Sequence, residues 1–180
     1  LRRRLRLERR WVAELEQLLD DLLGLSNIDG AIAYALMQQL KPVRVRRAAD
    51  PDFEDELRFR LEVGVNRAAW ESGAYEVYLE LALQVSRAAG QLSLDRLGLG
   101  RTFAWAHPEA MARDLFAVRG SKVIQGTYDQ HLRALTDLVI RATDPRRPRT
   151  GRQVQAEIRR QWPALRRFEA ERIARTETAA

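Results

Sequence analysis

The sequence predicts an all-α fold, and three observations lead to that prediction. Alanine, leucine, arginine and glutamate dominate the 180 residues, and these types favour helices. Residues that interrupt helices are sparse, since only 10 glycines and 6 prolines occur. Apolar residues also recur at intervals of three and four along several segments, which places them on one face of a helix. We therefore expect an elongated multi-helix domain.

Composition argues against several classes of site. The chain has no cysteine and only two histidines, His107 and His131, so little material exists for a zinc or haem centre or for nucleophilic catalysis. We expect no catalytic residue, no metal and no cofactor, and we predict that the chain is not an enzyme. The longest apolar run, Ala31 to Met37, is far shorter than the ~20 residues of a spanning helix, so we expect no membrane span.

The net charge of +6 comes almost entirely from arginine, because only Lys41 and Lys122 are lysines. A GC-rich genome is the ordinary explanation of that bias. The functional alternative is a polyanionic partner, because a guanidinium binds phosphate in a bidentate fork. The tryptophans are predicted to anchor the core or an interface rather than to stack on bases: Trp11, Trp70, Trp105 and Trp162.

The first predicted helix covers residues 1–23, and its arginines crowd the first half, whereas Glu14, Glu16, Asp20 and Asp21 follow. That order opposes the helix dipole at both ends, so local stability does not explain it. A solvated face is one interpretation, and contact with DNA or an acidic neighbour is the other. The candidate contacts with the DNA backbone in this segment are Arg2, Arg3, Arg4, Arg6, Arg9 and Arg10.

Residues 1–100 form a predicted N-terminal helical region, and two N-cap residues mark where its further helices begin. Ser26 is the predicted N-cap of a short helix from Ile28 to Leu40. Asp50, followed by a proline, is the predicted N-cap of a helix that extends to about Ala89.

Glycines indicate interruptions in the predicted helix that follows Asp50. Gly64 and Gly73 each cost about 1 kcal/mol relative to alanine, which predicts a kink or two packed pieces. The stretch from Gly90 to Gly100 has the least helical character of the chain, and we expect a loop or short hairpin there.

The C-terminal region, residues 101–180, contains the strongest amphipathic pattern. A helix that begins near Pro108 is expected to end at Gly120. A long amphipathic helix is then predicted from Ser121 to about Ala142.

Prolines and a cap divide the remainder of the C-terminal region. Pro145 and Pro148 end the long helix, since proline cannot continue it. Thr150 and Gln153 form a capping box for a helix through Trp162. The next residue, a proline, is predicted to start or kink the final helix. Arginines between these elements are further candidate DNA-backbone contacts, or part of an ordinary solvated loop: Arg146, Arg147 and Arg149.

The final helix places a carboxylate on its apolar stripe, because Ala170, Ile173 and Glu177 lie at i, i+3 and i+7. A buried carboxylate needs a partner, so we predict a polar network that locks helices together. Glu171 and Arg175, at i and i+4, are expected to form a surface ion pair. The predicted lock comprises Ile173, Arg175, Thr176, Glu177 and Thr178.

From about Phe103 to Thr178 the chain resembles the tailed-phage head morphogenesis family, which comprises minor head (capsid) proteins. The resemblance rests on the order of "FAWAHPEAM", the long helix "VIQGTYDQHLRALTDLVIRA", the cap "RTGRQVQAEI" and the closing "RIARTET". The last stretch, Ile173 to Thr178, is the most specific of these. The first 100 residues share only their helical character with the family.

The resemblance implies a minor structural protein of the virion, located inside the capsid near the portal vertex, and in the host cytoplasm during assembly. Its partners would be the portal protein or other head proteins and packaged DNA, bound nonspecifically, with an oligomeric state set by the portal vertex. It would act in head assembly, DNA packaging or genome ejection. Family members commonly continue beyond this signature, so we expect the chain to be part of a longer protein.

Two alternatives remain open. One is a nonspecific DNA-binding helical protein without a portal role. The other is a non-catalytic part of a larger phage-encoded enzyme.

Overall fold

The computed structural model describes residues 2–39, 51–98 and 105–179. Helix accounts for 89% of them and no strand occurs among them, which confirms the all-α prediction. The helices of these ranges are α1 (Arg2–Leu25), α2 (Ile28–Gln39), α3 (Pro51–Glu62), α4 (Arg67–Arg96), α5 (Ala106–Ala142) and α6 (Gly151–Ala179). None of them is long and apolar enough to cross a membrane.

The N-cap of α2 is Asn27, so the prediction of Ser26 was wrong. Asn27 Oδ1 accepts a hydrogen bond from the N–H of Gly30 at 3.0 Å, as an N-cap side chain does. Ser26 still belongs to the end of α1, because its N–H and its hydroxyl both donate to the carbonyl of Leu22. The predicted cap at Asp50 lies outside the described residues.

Two glycines were expected to interrupt the predicted helix that follows Asp50, and Gly64 does so. Gly64 adopts φ +94°, a conformation that favours glycine, and the chain turns there between α3 and α4. Gly73 lies inside α4, with open space where a Cβ would project. The predicted helix therefore consists of two helices, residues 51–62 and 67–96.

The predicted loop from Gly90 to Gly100 was wrong for residues 90–96, which complete α4. A Cβ on Gly90 would overlap Cη2 of Trp105, so the glycine admits the indole ring against the helix. Its role is close packing rather than chain reversal. Gly98, at φ +71°, follows the end of the helix, and residues 99–104 lie outside the described ranges.

Gly120 does not end a helix, because α5 runs without a break from Ala106 to Ala142. A Cβ at this position would lie 2.6 Å from the ring of Phe116, so this glycine too makes room for an aromatic side chain. Of the two alternatives at Pro163, a separate helix start was wrong, since the proline lies inside α6, and a kink stays a prediction. Trp162 before it and Ala170 after it are both buried, which anchors the helix on each side.

The described chain forms two compact units, and both draw on residues from either side of residue 100. Unit 1 comprises Leu1–Leu18, Arg67–Thr127 and Phe168–Ala180. Unit 2 comprises Leu19–Asn66 and Tyr128–Arg167.

Aromatic side chains organise the core of unit 1. The rings of Trp11 and Tyr78 meet edge to face with centroids 6.4 Å apart. Trp70 Nε1 donates to the carbonyl of Leu18 at 3.3 Å. The hydroxyls of Tyr78 and Thr127 are 2.9 Å apart, and Thr127 donates in turn to a main-chain carbonyl of α5. The prediction that tryptophans anchor the core is confirmed for Trp11, Trp70 and Trp162.

In unit 2, α2 packs on α3, with Leu57 and Leu61 fully buried. The rings of Tyr34 and Phe53 stack at 5.9 Å, and the guanidinium of Arg60 lies 5.0 Å above Tyr34. Leucines and β-branched residues of the second half of α5 and the first half of α6 complete the core: Leu132, Leu135, Leu138, Val139, Val154 and Ile158.

Candidate polyanion-binding surface

The connection between α5 and α6, in unit 2, holds two exposed arginines on a defined turn. Asp144 accepts the N–H of Arg146 through Oδ1 and the N–H of Arg147 through its carbonyl, both at 2.9 Å. This side-chain turn is a common use of aspartate in loops. Among the described residues, neither guanidinium of this pair has a hydrogen-bond or ion-pair partner. Both positive charges are therefore available to a ligand.

The loop leads into the capped start of α6, as predicted. The N–H of Thr150 donates to Gln153 Oε1 at 2.8 Å, and the N–H of Gln153 faces Thr150 Oγ1 at 3.4 Å. These reciprocal bonds are the capping box. The positive end of the helix dipole therefore lies beside Arg149 and Arg152.

Further exposed arginines follow along α6. At about 100° per residue, Arg152 and Arg159 lie within about 20° of each other around the helix, one above the other. Both side chains are exposed. We name this set the α6 arginine surface, and it comprises Arg146, Arg147, Arg149, Arg152, Arg159 and Arg160.

One carboxylate moderates this surface. Arg160 forms an ion pair with Glu157 at 2.6 Å, and Gln161 donates to the same carboxylate. The hydrogen bonds from Arg160 and Gln161 lower the pKa of Glu157, and the charges of Arg160 and Arg149 lower it further. The bond to Glu157 raises the pKa of Arg160. A single ion pair leaves most of the surface charge uncompensated.

Sequence reasoning missed part of this surface. It identified the three loop arginines but not Arg152, Arg159 or Arg160. Arg152 and Arg159 are seven residues apart, which is a helical spacing, and that signal was available once one helix was expected across residues 151–162.

The N-terminal candidates lie on α1. The side chains of Arg6, Arg9 and Arg10 are exposed in unit 1. Within the described part of the chain, none of these three has an ion-pair partner. The side chains of Arg2, Arg3 and Arg4 are outside the described ones.

The predicted polar lock is only partly described. Ile173 is buried and Arg175 is exposed at the surface of α6. Arg175 Nη2 lies 3.1 Å from Glu171 Oε2, which confirms the expected i, i+4 ion pair. The side chains of Thr176, Glu177 and Thr178 lie outside the described ones, so the lock stays a prediction.

One histidine is buried in the core of unit 2. His131 is 3% exposed, its ring meets that of Trp162 edge to face at 4.7 Å, and its Nε2 has no hydrogen-bond partner in the described residues. Trp162 Nε1 donates to Asp20 Oδ1 at 2.8 Å, and Arg166 forms an ion pair with the same carboxylate. Burial lowers the pKa of His131 to about 3.

No group of three or more His, Asp or Glu side chains that could hold a metal ion occurs in the described ranges. The side chain of the other histidine, His107, is not among the described ones. No protein-family model, curated protein or solved structure matches this chain.

Proposed function

We propose that this chain is a helical structural protein of a phage head, associated with the portal vertex and in contact with packaged DNA. It acts without catalysis, in head assembly, DNA packaging or genome ejection. Support for the head location is the resemblance of the C-terminal sequence to minor head proteins. Support for the DNA contact is the α6 arginine surface.

The main observation is that Arg146 and Arg147 are exposed, that Asp144 holds their main chain on a turn, and that neither guanidinium has an ion-pair partner among the described residues. Guanidinium groups match phosphate oxygens in geometry and charge. Because every duplex presents the same phosphates, such contacts position DNA without reading its sequence. The expected affinity is therefore nonspecific and strongly dependent on salt.

DNA binding is tested by measuring duplex affinity as a function of salt. The triple variant Arg146→Gln, Arg147→Gln, Arg152→Gln removes three contacts, and the log-log salt slope should become shallower by about 2.7, since each duplex phosphate contact contributes about 0.9. The matched control is Arg96→Gln, Arg113→Gln, Arg133→Gln, which removes the same charge from exposed positions elsewhere. Equal slopes in the two variants would contradict a localised contact.

The N-terminal arginines are tested in the same assay with Arg6→Gln, Arg9→Gln, Arg10→Gln. If they also contact phosphates, this variant will make the log-log salt slope shallower by a comparable amount. An unchanged slope would remove α1 from the DNA-binding surface and leave the α6 arginine surface intact.

The portal association needs a separate experiment, because the same arginines would also serve a DNA-binding protein without a portal role. Pull-down of the chain against the portal, the major capsid protein and duplex DNA at two salt concentrations distinguishes these functions. Salt-resistant capture by the portal supports the head protein. Capture by DNA alone, lost at high salt, supports the alternative.

The third function, a non-catalytic part of a larger phage enzyme, is separated by sequence beyond residue 180. A cluster of cysteine, histidine or acidic residues in such a continuation would favour it.

A further inference from the structure

Two helix faces of this chain expose apolar side chains that nothing in the described structure covers. One lies on α3 in unit 2 and the other on the first half of α5 in unit 1. Single exposed apolar residues are ordinary, but adjacent ones on one helix face indicate an interaction site.

The α3 face is centred on Phe59, which is 60% exposed. Leu57 and Leu61, the buried anchors of the helix, lie about 160° away around its axis, so Phe59 occupies the opposite side. Val63 follows one turn later and is also exposed. This aromatic and aliphatic pair therefore takes no part in holding α3 in its unit.

Carboxylates surround this pair. Asp55 lies one turn before Phe59, and Glu62 lies three residues after it. Both side chains are without an ion pair in the described ranges. The acidic apolar face of α3 comprises Phe59 and Val63 with Asp52, Asp55, Glu56 and Glu62, of which Glu56 pairs with Arg60.

The α5 face carries an aliphatic stripe with the spacing i, i+4, i+7. Met111, Leu115 and Val118 are 54%, 61% and 75% exposed. Phe116, which packs against Tyr75 of α4 at 5.1 Å, lies about 100° or more around the helix from each of them. The stripe is thus a second face, separate from the one that packs on α4.

Basic residues continue this stripe. Lys122 lies one turn after Val118 and two turns after Leu115, and Arg119 follows Leu115 at i+4. Both are exposed and have no ion-pair partner in the described part of the chain. Asp114 is the one acidic residue beside the stripe. The basic apolar face of α5 comprises Met111, Leu115, Val118, Arg119 and Lys122.

We propose that these two faces bind each other in different copies of the chain. The acidic apolar face of α3 in one copy docks on the basic apolar face of α5 in the next. Charge complementarity selects this occupant, because each face has apolar residues at its centre and a net charge opposite to that of the other. A face meeting its own copy would bring like charges together.

Two different surfaces meet in this contact. After the first contact, the remaining α3 and α5 faces of the two copies either meet each other and close a dimer or bind further copies. This proposal goes beyond the head function and does not depend on it.

The first experiment is sedimentation of the 180-residue chain over about a hundredfold range of concentration. The wild-type chain should associate progressively, and about 500 mM salt should weaken that association, because it screens the flanking charges. Phe59→Ser or Leu115→Ser alone should each weaken association about tenfold or more, as central apolar contacts do. A wild-type chain that stays monomeric throughout would overturn the proposal.

Matched controls come from the same chain. Phe168 is 63% exposed and Leu97 is 69% exposed, and neither belongs to the two faces. Phe168→Ser and Leu97→Ser should leave association unchanged. Loss of association in these controls equal to that in the face variants would also contradict the specific contact.

Charge exchange tests the pairing itself. Asp55→Lys with Glu62→Lys makes the α3 face basic, and Arg119→Glu with Lys122→Glu makes the α5 face acidic. Each double variant alone should associate at least about tenfold less than wild type, because like charges then meet. Mixed together, they should assemble again, with the two variants alternating. If the mixture associates as weakly as each variant alone, the proposal is wrong. Loss of the fold does not explain such a result, because all four substitutions replace charged surface residues.

Discussion

At the scale of single residues, burial shifts the pKa of His131 further than that of any other described ionisable group. The side chain lies in the core of unit 2 against Trp162, with its Nε2 unpartnered in the described residues. Burial removes the ring from solvent, so the charged form is penalised and the pKa falls to about 3. The carboxylate of Asp20 opposes this shift but does not overcome it. The position suits a structural residue better than a proton carrier.

The buried histidine predicts acid sensitivity. His131 takes up a proton near pH 6.5 in the unfolded chain and only near pH 3 in the folded chain. Its contribution to stability is therefore fully present above pH 6.5 and is lost as the pH falls from 6.5 towards 3. The loss between pH 7 and pH 5 should be about 2 kcal/mol. Urea unfolding of wild type and His131→Leu at both pH values measures it. The variant should lose about 2 kcal/mol less, and an equal loss in both proteins would exclude this origin.

The polar lock at the end of α6 is a second prediction at this scale. If Arg175 or Glu177 takes part in a lock, a double-mutant cycle of Arg175→Ala or Glu177→Ala with a candidate polar partner on another helix should give a coupling of about 1 kcal/mol in the free energy of unfolding. The reference is the cycle of Arg175 with Glu171, an exposed pair within one helix that should couple by about 0.2–0.5 kcal/mol. Strict additivity in every cycle with a partner on another helix would remove the lock.

At the scale of elements, local signals predicted some helix ends and missed others for identifiable reasons. The capping box of α6 and the proline-rich loop before it were predictable, because their hydrogen bonds and steric limits involve neighbours in sequence. Gly90 and Gly120 were wrongly predicted to end helices. Each lies within a helix and makes room for an aromatic ring, and the sequence pattern does not reveal such a packing contact. Ser26 and Asn27 are both good caps, and only the final turn of α1 decides between them.

Two glycines give opposite predictions for the same substitution. Gly64→Ala should destabilise the fold by about 1–2 kcal/mol, because alanine is strained at φ +94°. Gly73→Ala should stabilise it by about 0.5–1 kcal/mol, because the site is helical and has open space for a Cβ. Thermal and urea unfolding of both variants test this. A destabilised Gly73→Ala would mean that α4 is not a continuous helix there.

At the scale of the whole molecule, composition predicted the fold class and the basic character, but not the partition into units. Unit 1 assembles segments as distant as Leu1–Leu18 and Phe168–Ala180. No periodicity within a segment encodes such long-range pairing. Arg152 and Arg159 differ in this respect, because their helical spacing is local and is contained in the sequence.

The two proposals together predict cooperative binding to long DNA. Copies joined through α3 and α5 would present several α6 arginine surfaces at once, and linked sites bind with higher avidity. Leu115→Ser should therefore reduce affinity for a duplex that holds several copies and leave affinity unchanged for one that holds a single copy. Leu97→Ser is the control for both duplexes. An equal loss on both lengths would point to an effect on the DNA contact itself.

The α6 arginine surface contains no lysine, and this has a practical consequence for labelling. Reagents that attack side-chain amines can reach only Lys41 and Lys122 in this chain, and guanidinium groups do not react with them. Lys122 is exposed at the end of the α5 stripe, whereas Lys41 lies outside the described residues. In a Lys41→Arg variant, an amine-reactive dye would place a side-chain label on the stripe at Lys122 while leaving the arginines chemically untouched. Likewise, acetylation cannot neutralise the α6 arginine surface.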